Sequence, residues 1–488
     1  MTSTEPANAA PPLPDGLVVV VKRDCETCEM VAPLLATVAG SNTLTVYSQD
    51  DPSFPNDLAG VIDDTSLEFS WHHDIETVPT LIRVEEGAET SRIIGWSRSE
   101  WQSFCGIDDL GSALPEMRPG CGSMSVDPQY ADELNVRFSG SSLSSRRIEF
   151  AALEDEMEAA FDRGWSDGLP VIPPTEARVL RMLEGTSRDP ADTVAIIPPT
   201  LTEATVEQVA INAVMAGCKP EYFPVVLAAV ETSCSDSFNM HGLLATTFFS
   251  GPILVVNGPI AGRIGMNSHG NAFGQGNRAN LTIGRALQLV VRNLGGGRPG
   301  GVDMAALGSP GKLGFCFAER EHDSPFTPLS ADFGLAPGTD AVTVFAGQGP
   351  TPIVDQMSRT PESLTRTFAS MLLATGHPKL AFGWDALLVI SPEHGRVYRE
   401  AGWDKARLRS ELEPLLTIET DRMLQGVDGM AEGLPAFLAG KQLPKFRPGG
   451  LQIAYAGGDA GMFSAILSGW VGGEKGSNPT SAAIGPWQ

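Results

Sequence analysis

A chain of 488 residues, 42% of them hydrophobic and 19% charged, has the length for roughly two to four domains and enough apolar content to pack their cores, which excludes a disordered chain and a disulfide-stapled miniprotein. Its 34 Lys and Arg stand against 59 Asp and Glu, a net charge of −25, which repels phosphate backbones and anionic lipid and argues against nucleic acid or membrane partners. Seven cysteines, few and odd in number, fit a reducing compartment, so a cytoplasmic location is expected.

Met1 to Pro14 is rich in Ala, Pro, Asn and Ser and lacks the basic and apolar regions of a secretory signal, so residues 1–14 are expected as a disordered leader. No apolar run approaches the roughly 18 residues of a spanning helix; the best, Gly251 to Val256 and Leu387 to Ile390, are strand-sized. From Gly16 the β-branched run Leu17 to Val21 predicts a central strand that delivers Cys25 and Cys28 to a helix start, with Met30, Val31, Leu34, Leu35 and Val38 at helical spacing behind them. Further strands are predicted at Thr43 to Tyr47, Val78 to Val84 and Arg92 to Gly95, and a short helix at Ser99 to Phe104. These form a first domain over residues 15–109.

Residues 110–147 turn to Gly, Ser, Pro and Asp, including Arg118-Pro119-Gly120-Cys121-Gly122-Ser123, and are expected as a linker. Residues 148–488 then open with an acidic helix, Ile148 to Arg163. Strand-like runs follow at Thr193 to Ile197, Ile253 to Val256, Ala341 to Phe345, Ala386 to Ile390 and Leu451 to Tyr455. They alternate with helices at Val206 to Gly217, Phe223 to Thr232, Asn280 to Leu294, Leu364 to Ala374 and Ala406 to Leu416. The expected fold class is α/β throughout, with a mostly parallel sheet in this second domain and room for two subdomains.

Two thiols at i and i+3 on a helix start can close a small ring, and the N-terminal one is favoured as thiolate by the orphan amides and the helix dipole. Cys25 is therefore the expected attacking sulfur and Cys28 the resolving one. Half of a zinc site and a structural pair are the other readings of the spacing, the former without a second paired-cysteine motif.

Over Gly16 to Ile107 the order of strand, Cys25-x-x-Cys28, helix, strand, Val78-Pro79-Thr80, strand, Gly95 and helix resembles the thioredoxin family. The resemblance implies a cis Pro79 beside the redox pair, placed to guide a partner's extended segment. The family's tryptophan before the first cysteine and its Gly-Pro between the two are replaced by Asp24 and Glu26-Thr27. Two added carboxylates are expected to raise the Cys25 pKa and give a slower, more reducing, more partner-selective pair.

In the second domain Gly164-Trp165-Ser166-Asp167-Gly168-Leu169-Pro170 is similar to segments of bacterial proteins of unassigned function, which implies no activity. The loop from Asn267 to Arg278, with His269, Gly274, Gly276 and Asn277, feeds a helix and is a candidate anion cradle, although its spacing fits neither a P-loop nor a dinucleotide fingerprint. Cys316 precedes Glu319, Arg320, Glu321 and His322; on a continuing strand Arg320 and His322 would share its face and activate it. Cys218, at a helix end beside Lys219, and Cys234, with His241 nearby, rank lower. His394, just past the strand Ala386 to Ile390, is the candidate general acid or base, and Gly457 and Gly458 follow another strand end where ligands approach backbone.

No metal motif, nucleophile elbow or nicotinamide or flavin fingerprint is present, so no cofactor is expected and electrons arrive as thiols. The expected function is a thiol-dependent oxidoreductase: the Cys25–Cys28 module, served by a thiol reductant or reductase, exchanges electrons with Cys316 or Cys218 of a fused domain acting on a small anionic substrate. The alternatives are a docking module fused to a non-redox lyase, hydrolase or binding domain, and a peroxide or thiol sensor. Apolar helices such as Phe223 to Val230 suit either a core or a homo-oligomer interface.

Overall fold

The computed structural model of the chain describes residues 10–138, 143–148, 155–376, 381, 383–420, 436–470 and 476–485. It divides into two compact units, 10–138 with 176–180, and 143–175 with 181–485. Both mix helices and sheets.

In the first unit the elements are β1 (Gly16–Val21), α1 (Glu26–Ser41), β2 (Leu44–Ser48), β3 (Ile62–Asp63), α2 (Glu68–His72), β4 (Thr77–Val78), β5 (Thr80–Glu85), β6 (Ala88–Ile94), β7 (Trp96–Ser97), α3 (Arg98–Cys105), β8 (Met117–Arg118), β9 (Cys121–Gly122) and α4 (Pro128–Phe138). Five strands form a mixed sheet in the order β3-β2-β1-β5-β6, parallel between β1 and β2 and between β2 and β3, antiparallel elsewhere. The Leu17–Val21 run is buried on both faces because β1 is the middle strand. Its core continues through Val31, Leu35 and Val38 on the inner stripe of α1 and through Trp96 and Trp101.

The span expected as a linker is ordered as far as Phe138. Leu110 is buried in the same core, Trp96 Nε1 donates to Pro115 O at 2.7 Å, β8 pairs with β7, and β9 pairs with β4. Its Gly, Pro and Ser content serves tight turns and close backbone approach rather than freedom. Part of the expected leader is also placed: Leu13 packs on the core and His73 Nε2 bonds Pro11 O at 2.8 Å, while residues 1–9 lie outside the described residues.

The second unit continues with α5 (Glu156–Asp162), α6 (Glu176–Leu183, whose first turn groups with the first unit), β10 (Thr193–Ile197), β11 (Thr202–Thr205), α7 (Val206–Ala216), α8 (Phe223–Ser233), α9 (Met240–Ala245), β12 (Gly251–Asn257), α10 (Pro259–Arg263), α11 (Arg278–Asn293), β13 (Phe315–Ala318) and β14 (Ala341–Val354). After these come α12 (Pro361–Ala374), β15 (Trp384–Ile390), α13 (Pro392–Glu400), α14 (Lys405–Leu412), β16 (Thr417–Glu419), β17 (Gln442–Pro444), β18 (Phe446–Tyr455), β19 (Phe463–Gly469) and β20 (Thr480–Ala483). The acidic helix begins at Glu156, with the Asp155 carboxylate accepting from Met157 N and Glu158 N, and residues 149–154 of that expectation lie outside the described residues.

The main sheet runs β13-β12-β14-β19-β15-β18, with β20 added to β14. It is not mostly parallel. Only β12–β13 and β15–β18 are parallel, whereas β12–β14, β14–β19, β14–β20 and β15–β19 are antiparallel. The reason is connection length: the short turn from Tyr455 to Phe463 leaves no room for a helical crossover, so β19 returns antiparallel between β14 and β15. Alternate residues of β15 feed separate cores, Leu387 and Val389 with Phe317 and Phe345 on one face, Leu388 and Ile390 with Phe368, Tyr398 and Trp403 on the other. No helix among the described residues is long and apolar enough to cross a membrane.

Candidate functional sites

The β-branched strand β1 ends at Val21, and Arg23 N and Asp24 N donate to the Asp50 carboxylate at 2.7 and 2.8 Å, which turns the chain into α1 with Cys25 as its N-cap. The Cys25 sulfur accepts from Cys28 N at 3.2 Å and faces Val78 O at 3.6 Å, the acceptor for the protonated thiol. Val78 precedes Pro79 through a cis peptide, the isomer expected there.

The hydrogen bond from the Cys28 thiol leads the causes that pull Cys25 down to about 5; burial opposes it, and the Cys121 thiol and the Cys28 and Thr27 N–H groups assist. This overturns the expected rise. Asp24 and Glu26 are exposed, and Glu26 pairs with Arg118, so their charges are spent in solvent and on a cation rather than on the sulfur. Burial and then the hydrogen bond to Cys25 push Cys28 far up, leaving it the proton holder of the pair. Cys121, within the span expected as a linker, is a third thiol at this site; its only local signal is a cysteine between two glycines, and the β4–β9 pairing brings it here.

In the second unit burial favours the protonated form of each thiol. Cys316 is 4% exposed and burial drives its thiol up. The strand ends at Ala318, and beyond it Arg320 binds Asp323 at 2.6 Å, Asp459 at 2.6 Å and Gly457 O at 3.2 Å, while exposed His322 stacks on His269 at 5.5 Å. The expected activation of Cys316 by Arg320 or His322 is thus absent, because those side chains serve the loops. Burial pushes Cys218 and Cys234 up to about 12, and the Cys218 thiol donates to Thr282 O at 3.4 Å.

The expected anion loop is mostly satisfied internally. Asn277 caps α11, Arg278 Nε donates to Gly217 O at 2.8 Å, and Asn267 exchanges bonds with Asn280. Asn267, His269, Gly276, Asn277 and Arg278 stay outside the nearby cavity. Of the expected ligand residues, Gly274, Gly457 and Gly458 line it, a space of about 290 Å³ at the ends of β15 and β18 where the loops meet through Gly457 N to Ser268 O at 2.9 Å.

His394 is fully buried beneath this cavity, so it meets a ligand only through a neighbour. That neighbour is Ser464, a lining residue whose Oγ lies 2.7 Å from His394 Nδ1. His394 Nε2 lies 3.0 Å from Asp355 O, an acceptor only, so Nε2 carries the proton and Ser464 donates to a free Nδ1. Desolvation holds His394 below its usual value, in the neutral form this needs. Ser391, also lining the cavity, has a hydroxyl without a hydrogen-bond partner among the described residues. The pair is 70 positions apart, and no spacing motif could reveal it.

The Trp165–Pro170 segment is a turn on α11: Arg285 clasps Asp167 with two bonds of 2.8 Å and donates to Pro170 O at 2.9 Å. Among the described residues no group of three or more His, Cys, Asp or Glu is placed to hold a metal ion. Comparison of the chain with protein-family models, with curated proteins and with solved structures gives no match.

Proposed function

We propose that the chain is a thiol–disulfide oxidoreductase whose reacting centre is Cys25, with Cys28 as resolving thiol. The observation that carries this reading is a sulfur at a helix start that accepts from Cys28 N at 3.2 Å, a setting that draws Cys25 down to about 5 while burial keeps the proton on Cys28. The strand order and the cis Pro79 beside the pair support a thioredoxin-like fold for the first unit. At neutral pH the Cys25 thiolate attacks a disulfide, one thiolate leaves, and Cys28 displaces the second as the Cys25–Cys28 bond forms. Release of thionitrobenzoate from 5,5′-dithiobis(2-nitrobenzoate) by the pre-reduced chain, freed of reductant and followed as the initial rate of a single turnover, is expected to fall at least about 100-fold in Cys25→Ser/Cys28→Ser. An unchanged rate there would end the reading.

Electron relay into Cys316 or Cys218 is no part of the proposal, since burial keeps both protonated. For the second unit the Ser464–His394 pair favours a non-redox role, acyl transfer or hydrolysis on a small substrate in the 290 Å³ cavity. A fluorophosphonate is expected to label Ser464, with labelling lost in Ser464→Ala and in His394→Gln; an unlabelled serine counts against it.

A further inference from the structure

Cys121 is the register partner of Val78, whose carbonyl faces the Cys25 sulfur and which leads into the cis Pro79. Its side chain packs against the core that holds Cys25 and Cys28, and the two thiols bear on each other's protonation, Cys121 lowering Cys25 and Cys25 raising Cys121. The segment is fastened on either side of the cysteine: Thr27 Oγ1 donates to Pro119 O at 2.7 Å, and Ser123 N donates to Glu76 O at 2.9 Å. Gly120 allows the approach, since a Cβ there would lie 2.4 Å from Thr77 Cγ2 and 2.7 Å from Val78 O. Cys25 is only 4% exposed and Cys28 fully buried, while Cys121 is half-buried, so Cys121 is the outermost of three sulfurs.

We propose that Cys121 is a third redox thiol that forms a disulfide with Cys25 as an alternative to the Cys25–Cys28 bond. The proposal rests on Cys25 being the exchange nucleophile. Cys25 attacks one sulfur of a small disulfide; a Cys25 mixed disulfide forms and one thiolate leaves. Cys121, losing its proton to that thiolate or to solvent, then attacks the Cys25 sulfur and expels the second thiolate. The protein gives up two electrons, and the disulfide takes them up as two thiols. Attack of Cys28 on Cys25 afterwards yields Cys25–Cys28 and frees Cys121 with no net redox change. The bond requires the two sulfurs to close to about 2.0 Å, and the β4–β9 register sets Cys121 opposite Val78, whose O lies 3.6 Å from the Cys25 sulfur.

The test takes the full chain as Cys28→Ser, and in parallel as Cys28→Ala, through oxidised glutathione, alkylation and disulfide mapping by mass spectrometry. Most of the Cys25 is expected in a Cys25–Cys121 cross-link, with the glutathione adduct at least about tenfold rarer. Cys25 recovered as the glutathione adduct while Cys121 is alkylated would overturn the proposal. Cys121→Ser under the same treatment should give the Cys25–Cys28 link; if it does not, the exchange reading itself fails rather than the role of Cys121.

Discussion

A thiol that titrates near 5 is almost wholly thiolate at neutral pH, and it is also a good leaving group, which pushes the dithiol toward the oxidising side rather than the reducing side its acidic neighbours suggested. Alkylation of Cys25 by iodoacetamide, followed by mass spectrometry, is expected to be half-maximal at about pH 5 and flat from about 6 to 8; a midpoint at the ordinary thiol value would contradict the geometry. Histidine 394 gives the opposite kind of signal. Its folded pKa lies below its unfolded value, so the unfolded chain binds the extra proton and stability is lost as pH falls through the unfolded value toward the folded one. Unfolding of the second unit is expected at lower temperature at pH 5 than at pH 7, with a weaker dependence in His394→Gln, read by calorimetry.

Elements in this fold are held by a few long-range polar clasps laid over apolar cores. The Asp167–Arg285 clasp ties a turn to α11, with side chains 9% and 15% exposed, and a planar guanidinium matches the carboxylate and the carbonyls of Leu169 and Pro170 together. Arg285→Lys is expected to destabilise the second unit by about 1–2 kcal/mol and Arg285→Ala by about 3, the latter because Asp167 is left half-buried without its cation; equal midpoints in chemical denaturation for both variants and the parent would refute the clasp. The buried strands β1, β12 and β15 were legible because continuous β-branched runs suit a sheet covered on both faces. Their partners β2, β5, β18 and the first half of β14 were legible too, whereas β19 was not. The latter half of β14 passes through Gly347, Gly349, Pro350 and Pro352, a composition that reads as loop, and pairs across an irregularity with β19. The Cys25–Cys28 pair was legible because its chemistry is local to one helix start. Cys121 and the Ser464–His394 contact were not, because the β4–β9 pairing places the one and the packing of α13 on β19 the other, and nothing within a few residues of either records that.

Over the whole molecule the net charge of −25 biases which partners reach the dithiol. Near Cys25 the exposed Asp24, Glu26 and Glu29 are offset only in part, since Arg118 is engaged by Glu26 and Arg23 by Asp51. The field therefore favours a cationic disulfide over an anionic one, and because it acts through solvent it is screened within about 10 Å at 0.1 M salt. Cystamine and oxidised glutathione carry opposite net charges at neutral pH and both present a small aliphatic disulfide. Their rate constants for oxidising the reduced chain, followed by stopped-flow tryptophan fluorescence, are expected to favour cystamine by about tenfold at 10 mM salt. The ratio should shrink toward the intrinsic reactivity ratio as salt rises, the cystamine rate falling and the glutathione rate climbing. A ratio indifferent to salt would mean that local packing around Cys25 and Cys121, rather than the charge of the molecule, selects the partner.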